Sequence, residues 1–194
     1  MLKDKLSNYN IILASASPRR QKIFKELDIP FTIQVKEIDE IYPEHFKASE
    51  ITDYLADLKS KCFTDIQKND LLITSDTIVW FEEKALGKPK NKKEAFNMLK
   101  NMSGKKHSVY TSVSIKNIFF QKVFHDETIV EFEEFTDEEI NYYLENFTPF
   151  DKAGSYGIQD WIGLVGVKKI IGSYYNVMGL PVHKLYKELL KISQ

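Results

Sequence analysis

LLITSDTIVWFEEKALGKP, residues 71–89, is the stretch from which the fold is read. Leu71, Leu72 and Ile73 form an apolar run of buried-strand type, and Ile78, Val79, Trp80 and Phe81 resume it. Between them stand Ser75, Asp76 and Thr77, small polar residues where the flanks call for core. A carboxylate inside such a run is costly unless it is paired, hydrogen-bonded or bound to a metal. The ribbon then turns through Glu82, Glu83 and Lys84 and ends in Gly87-Lys88-Pro89, a hairpin that could return Lys88 toward Asp76. The plain alternative is a strand end at which Asp76 caps a neighbouring loop.

Upstream, Ile11–Leu13 reads as a buried strand and Ala14-Ser15-Ala16-Ser17 as a tight turn of small residues. Ser17 offers an N-cap and Pro18 the favoured first helical position. Arg19 and Arg20 put two cations in the first turn, which opposes the helix dipole by about 0.3–1 kcal/mol each. An anion bound at that end would reverse the argument, since N–H groups and two guanidiniums would converge on it. On this reading, removing Arg20 weakens anion binding without destabilising the free protein. Two solvated arginines at a surface turn are the alternative.

Phe31–Val35 alternates as a second strand, followed by Glu37, Asp39 and Glu40, acids that by default are solvated charge. Ser49 is expected to cap a helix whose apolar stripe is Ile51, Leu55, Leu58 and Cys62. Helical spacing puts Lys59 about 40° from Leu55, at the edge of that stripe, whereas Lys61 points away. Downstream come a helix capped by Asn91 with Glu94 and closed by Gly104, then two strands over His107–Phe120 and Lys122–Phe132. A helix follows from the Thr136–Glu139 capping box and stops before Pro149, and Ile162–Ile170 is expected to be a strand. Pro181 opens a last helix on Val182, Leu185, Leu189 and Ile192. These elements make an α/β protein with one domain over residues 1–194.

Composition narrows the chemistry. With 27 Lys and Arg against 28 Asp and Glu, the net charge of −1 leaves no footprint for duplex nucleic acid or an acidic membrane. The single cysteine, Cys62, excludes an internal disulfide and fits a reducing compartment. The N-terminal stretch is not read as a signal peptide, and no run approaches the ~20 apolar residues of a membrane span. Neither GxxxxGK[ST] nor GxGxxG occurs, and GxSxG is absent as well. His45, His107, His125 and His183 lack metal-ligand spacing. What remains is the arginine pair, Asp39-Glu40 with Lys59, Asp76 with Lys88, and the polar loop Asp151–Gln159. Carboxylates for a hard cation beside Arg and Lys for phosphates suit metal-assisted phosphate chemistry.

Four ordered stretches, LASASPRR (13–20), SDTIV with LGKP (75–79 and 86–89), DKAGSYGIQ (151–159) and GSYYNVMGLP (172–181), resemble the Maf family of nucleoside triphosphate pyrophosphatases. The resemblance spans nearly the whole chain. It implies a mixed twisted β-sheet flanked by helices, related to the inosine triphosphate pyrophosphatase fold, with a ligand cleft between two lobes. It also implies cleavage between the α- and β-phosphates with a divalent cation, Mg²⁺ or Mn²⁺, in a homodimer, while the cysteine usage and N-terminal stretch lead to the expectation of a cytoplasmic protein. By resemblance Asp76 matches the proton acceptor, and Arg19, Arg20, Glu40, Lys59 and Lys88 match polar cleft positions. Arg19, Thr77 and Gln159 match positions tied to substrate choice, and Ser15 and Ser17 belong to the substrate-binding turn. Glu40 and Asp76 are the expected metal ligands; whether Asp76 takes a proton from water or holds the metal stays open. DKAGSYGIQ resembles the branch acting on dTTP and UTP more than the branch preferring 7-methyl-GTP. Asp160-Trp161, where the family usually shows a small residue, and Ser60, where alanine is usual, depart from the pattern. A nucleotide-binding regulator of cell division without turnover is the reading from another class.

Overall fold

The computed structural model describes residues 1–192. In chain order the elements are α1 (Leu2–Lys5), β1 (Asn10–Leu13), α2 (Pro18–Glu26), β2 (Thr32–Ile33), α3 (Ser49–Lys61), β3 (Asp70–Phe81) and β4 (Lys84–Leu86). They continue with α4 (Lys92–Met102), β5 (Lys106–Lys116), β6 (Gln121–Phe132), α5 (Asp137–Phe147), α6 (Trp161–Gly166), β7 (Val167–Ile171), α7 (Tyr174–Val177) and α8 (Val182–Ile192). The strands form a mixed seven-stranded sheet in the order β2-β1-β3-β5-β6-β7, with β4 paired to β3. Helices flank it, as the α/β expectation requires. β1 runs parallel to both its neighbours, matching Ile11–Leu13 with Leu71–Ile73 on one side and Ile12–Leu13 with Thr32–Ile33 on the other.

The described chain divides into two compact units, one from 1–76, 111–126 and the residues from 179 on, the other from 77–110 and 127–178. In the first, α2 buries Ile23 and Phe24, and Ile12, Phe63 and Leu72 form an apolar cluster beneath the end of α3. In the second, Leu99 and Met102 of α4, Ile140 and Tyr143 of α5, and Val109 and Phe132 of the strands make the core.

Several capping expectations match the geometry. Ser17 Oγ accepts from Arg20 N, Asn91 from Glu94 N, and Thr136 with Glu139 forms a reciprocal box. Four readings need correction. Ser49 is the first helical residue of α3 and not its cap; Ala48 caps, at φ 49° and ψ −121°, and Glu50 accepts from Lys47 N instead. The second strand shrinks to Thr32–Ile33, both exposed. Ile162–Ile170 is a helix followed by a strand, because an apolar run of this length carries no periodicity that separates the two. The buried stripe of α3 is Ile51, Thr52, Leu55, Ala56 and Ser60, so a row of small and hydroxyl residues faces inward in place of Leu58 and Cys62.

That polar row explains how α3 is seated. Thr74 Oγ1 donates to the Ala56 carbonyl at 2.6 Å, and Ser112 Oγ lies 2.6 Å from Thr52 Oγ1 and 2.7 Å from Asp53 Oδ1. Farther along, Lys116 Nζ donates to the Ser60 carbonyl at 3.1 Å. Thr52, Thr74 and Ser112 are fully buried, and each has a partner, which removes the penalty of an unmade bond.

Candidate active site

The alternation of β3 sends Thr74 and Asp76 to the face that α3 covers and Ser75 to the other. Lys59 follows Ala56 by three residues on α3, and Asp76 follows Thr74 by two on β3. Anchoring Ala56 to Thr74 therefore brings Lys59 to Asp76. The ammonium lies 2.5 Å from Asp76 Oδ1 and 2.8 Å from Glu40 Oε1. Asp76 is 8% exposed, Lys59 17% and Glu40 44%, so a buried carboxylate and a half-exposed one share a single cation. Burial raises the Asp76 carboxyl above its ordinary range; Lys59 and then Arg20 oppose that rise, and Glu40 adds to it.

On the other face, Ser17 caps α2, and Ser15 Oγ accepts from Ser17 N at 3.3 Å. Arg20 does not simply face solvent at this helix end. Its Nε donates to the Gly179 carbonyl at 2.7 Å and its Nη1 to the Ser75 carbonyl at 2.9 Å. Ser75 Oγ donates to the same Gly179 carbonyl at 3.3 Å. These contacts stand against the expectation that Arg20 is dispensable to the free fold: its guanidinium holds two backbone acceptors beside Asp76. Burial pushes the Arg20 guanidinium down, Asp76 and Glu40 push it up, and neighbouring Arg19 adds to the lowering. Arg19 itself is half-buried on the same turn.

Thr77, Lys88 and Gln159 belong to the second unit. The β3–β4 register pairs Val79 with Leu86 and Phe81 with Lys84. Lys88 and Gln159 are exposed and Thr77 is half-buried. Gly154 N donates to the Gly87 carbonyl at 3.1 Å, which ties the 151–159 loop to the Gly87-Lys88-Pro89 strap. Gly154 has φ 65°, and a Cβ there would meet Val79 at 2.8 Å, so the loop passes where glycine alone fits. Sequence reasoning missed Thr74, whose hydroxyl sets the Lys59 register. Its only signal was a threonine two residues before the aspartate.

Two carboxylates converging within hydrogen-bond distance of one ammonium nitrogen make a donor pair that suits a hard divalent cation. Magnesium is commonly held by one or two carboxylates together with substrate phosphates. Among the described residues no group of three or more His, Cys, Asp or Glu is placed to hold a metal by itself. Glu40 and Asp76 thus fit a cation shared with a phosphorylated ligand better than a closed protein site.

An α/β sheet with a buried carboxylate–lysine pair and a serine–arginine helix start defines a class of proteins equipped for anionic, phosphate-bearing ligands. The chain belongs to the Maf family: the family model described as Maf-like protein matches residues 10–192. It is 56% identical over 190 residues to a dTTP/UTP pyrophosphatase of Christiangramia forsetii, covering 97% of both chains. It is 54% identical over 190 residues to a dTTP/UTP pyrophosphatase of Flavobacterium johnsoniae, covering 97% of this chain and 98% of that one. Among solved structures, the Staphylococcus aureus Ham1 protein aligns with 95% of this chain and all of its own, at 14% identity and a TM-score of 0.49. Among the described residues no helix is long and apolar enough to cross a membrane.

Proposed function

We propose that this protein is a nucleoside triphosphate pyrophosphatase that converts dTTP and UTP to the monophosphate and pyrophosphate. The observation that carries the reading is the Lys59 ammonium shared between buried Asp76 and half-exposed Glu40. Binding phosphate anions does not call for a buried carboxylate, whereas deprotonating a water or holding a cation does. The names of the similar proteins support dTTP and UTP as the substrates.

In this reading Asp76 receives the proton of the attacking water or, with Glu40, holds Mg²⁺ or Mn²⁺. When bound, such a cation acidifies water and shields phosphate charge. Lys59 keeps Asp76 ionised in its buried place and offsets phosphate charge. Arg20 fixes the backbone at Ser75 and Gly179, which holds Asp76 in orientation, and Ser15, Ser17 and Arg19 present the helix start to phosphate oxygens. Thr77, Lys88 and Gln159 keep the roles that the family resemblance assigns them, with Gln159 meeting the O4 and N3–H edge of uracil or thymine. The enzyme works in the cytoplasm, in keeping with its lone cysteine, and as a homodimer by family resemblance.

The test is pyrophosphate release from dTTP, UTP, CTP, ATP, GTP and 7-methyl-GTP with Mg²⁺, for the native protein and for Gln159→Ala. The expected result is kcat/KM for dTTP and UTP at least ~10-fold above the others, with a flatter ranking in the variant. A purine nucleotide at the top would overturn the pyrimidine assignment alone. Nucleotide binding without any pyrophosphate release would overturn the enzyme and favour the regulator.

A further inference from the structure

The turn that displays Gln159 is locked from behind by side chains to which the reaction assigns no part. Asp160 N donates to the Gly157 carbonyl at 3.0 Å, closing the turn. The Tyr143 phenol of α5 donates to Asp160 Oδ2 at 2.8 Å and accepts from Gly157 N at 3.1 Å, so one hydroxyl pins both ends. The Asp160 carbonyl accepts from Gly163 N at 2.9 Å and Leu164 N at 3.2 Å, which fastens the same residue to the first turn of α6. Lys152 Nζ lies 3.7 Å from Asp160 Oδ2 and 2.8 Å from Asp151 Oδ1. Tyr143 is fully buried, and a Cβ on Gly157 would stand 2.5 Å from Asp160 Oδ2. Burial first, and Asp160 second, raise the Tyr143 phenol, consistent with a hydroxyl that stays protonated and donates. Between these fixed points the Gln159 side chain is exposed.

We infer that Tyr143 and Asp160 are positioning residues that fix the direction in which the Gln159 side chain leaves the backbone, and so set nucleobase choice. The inference rests on the reading that Gln159 meets the base. An amide carries a donor and an acceptor on one near-symmetric group, so a half-turn exchanges the pattern that suits uracil or thymine for the one that suits cytosine. A turn held at both ends fixes where the Gln159 side chain leaves the backbone, and so which edge of a base its amide reaches; a loose one lets it meet either. Asp160, to which the reaction itself assigns no part, thereby acquires a use in this chain.

Tyr143→Phe keeps the ring, stacked on Phe147 at 5.4 Å, and deletes the hydroxyl. With dTTP, UTP and CTP as substrates, kcat and KM are measured separately for it, for Asp160→Ala and for Asp160→Asn. The expected result is a dTTP-to-CTP ratio of kcat/KM that falls at least ~5-fold in Tyr143→Phe and Asp160→Ala, through KM, with kcat for dTTP within ~2-fold. Asp160→Asn, which still accepts from the phenol, restores the ratio. Independently of turnover, hydrogen exchange at the backbone N–H of residue 160, which donates to the Gly157 carbonyl, should rise at least ~10-fold in the first two variants and not in the third. Lower melting with an unchanged ratio and unchanged exchange would overturn the inference. If Gln159→Ala itself leaves the native ranking intact, it is the base-reading assignment that fails, whatever the exchange shows.

Discussion

The Lys59 ammonium stands 2.5 Å from the Asp76 carboxylate, and that carboxylate is buried while its second neighbour, Glu40, is not. Removing the lysine strands a negative charge inside the protein. Lys59→Ala is expected to cost about 3 kcal/mol of stability at pH 7, the usual scale for breaking a buried pair. Burial already raises Asp76, so the folded state holds its proton more tightly than the unfolded chain. Stability of the variant should therefore recover as pH falls and decline as pH rises through the folded value. Urea titrations at several pH values measure this; a flat pH response would remove the buried charge from the explanation.

Asp76→Asn keeps an oxygen that accepts from Lys59 and removes the charge. Its fold should survive, and kcat should fall at least ~10²-fold, as expected for loss of a positioned base or metal ligand. Circular dichroism and pyrophosphate release on one preparation check both halves. Native turnover would dismiss Asp76 from the chemistry.

Arg20→Ala should now be destabilising. Two charge-assisted bonds to the Gly179 and Ser75 carbonyls disappear, at about 1.5–3 kcal/mol for hydrogen bonds to charged groups, while relief of the dipole penalty returns less than ~1 kcal/mol. Thermal melts without nucleotide should show a clear drop. A variant as stable as the parent would restore the simpler view of a purely ligand-facing guanidinium.

His107 makes an acid-sensitive core. It is 3% exposed, its Nε2 meets the Tyr156 hydroxyl at 2.7 Å, and its Nδ1 has no hydrogen-bond partner among the described residues. Burial pushes it down to about 4 from 6.5. Its unfolded form binds a proton first, so the stabilisation present above pH 6.5 is lost as pH falls toward 4, by about 3 kcal/mol in all. Equilibrium unfolding between pH 7 and pH 4 should show this slope, and His107→Gln should remove most of it.

Glu82 and Glu83 both take left-handed backbone, at φ 47° and 58°, in the two-residue turn that joins Phe81 to Lys84. Tight hairpins of this kind favour Asn-Gly. Replacing the pair with Asn-Gly should add about 1 kcal/mol, less any contribution of the exposed Glu82–Lys105 pair at 3.0 Å. A rise of a few degrees in melting temperature is the expected reading, and a fall would show that the strain lies elsewhere.

Local chemistry was the legible part of this chain. Ser17-Pro18, Asn91 and Thr136–Glu139 announced their helices because capping depends on residues within one turn. The interruption of an apolar strand by Asp76 was visible for the same reason. Contacts distant in sequence were not. Nothing near Arg20 in the chain reveals that Gly179 supplies its acceptor 159 positions away. The inward row of Thr52, Ala56 and Ser60 was hidden because its partners, Thr74 and Ser112, come from two separate strands. Ile162–Ile170 failed for a different reason: a helix and a strand run together in one apolar stretch, and the close approach of Gly163 to the Ile158 carbonyl, where a Cβ would come within 2.0 Å, is not encoded in hydropathy.

The hydroxyl seating of α3 has a mechanical consequence. A helix resting on a greasy face can slide by a fraction of a turn at little cost, because oily contacts are interchangeable and carry no direction. One hung from Thr74, Thr52 and Ser112 has detents, like a shutter on fixed pegs, and any displacement along its axis breaks bonds that no water can reach to replace. The reach of Lys59 is accordingly a matter of discrete notches rather than of continuous adjustment.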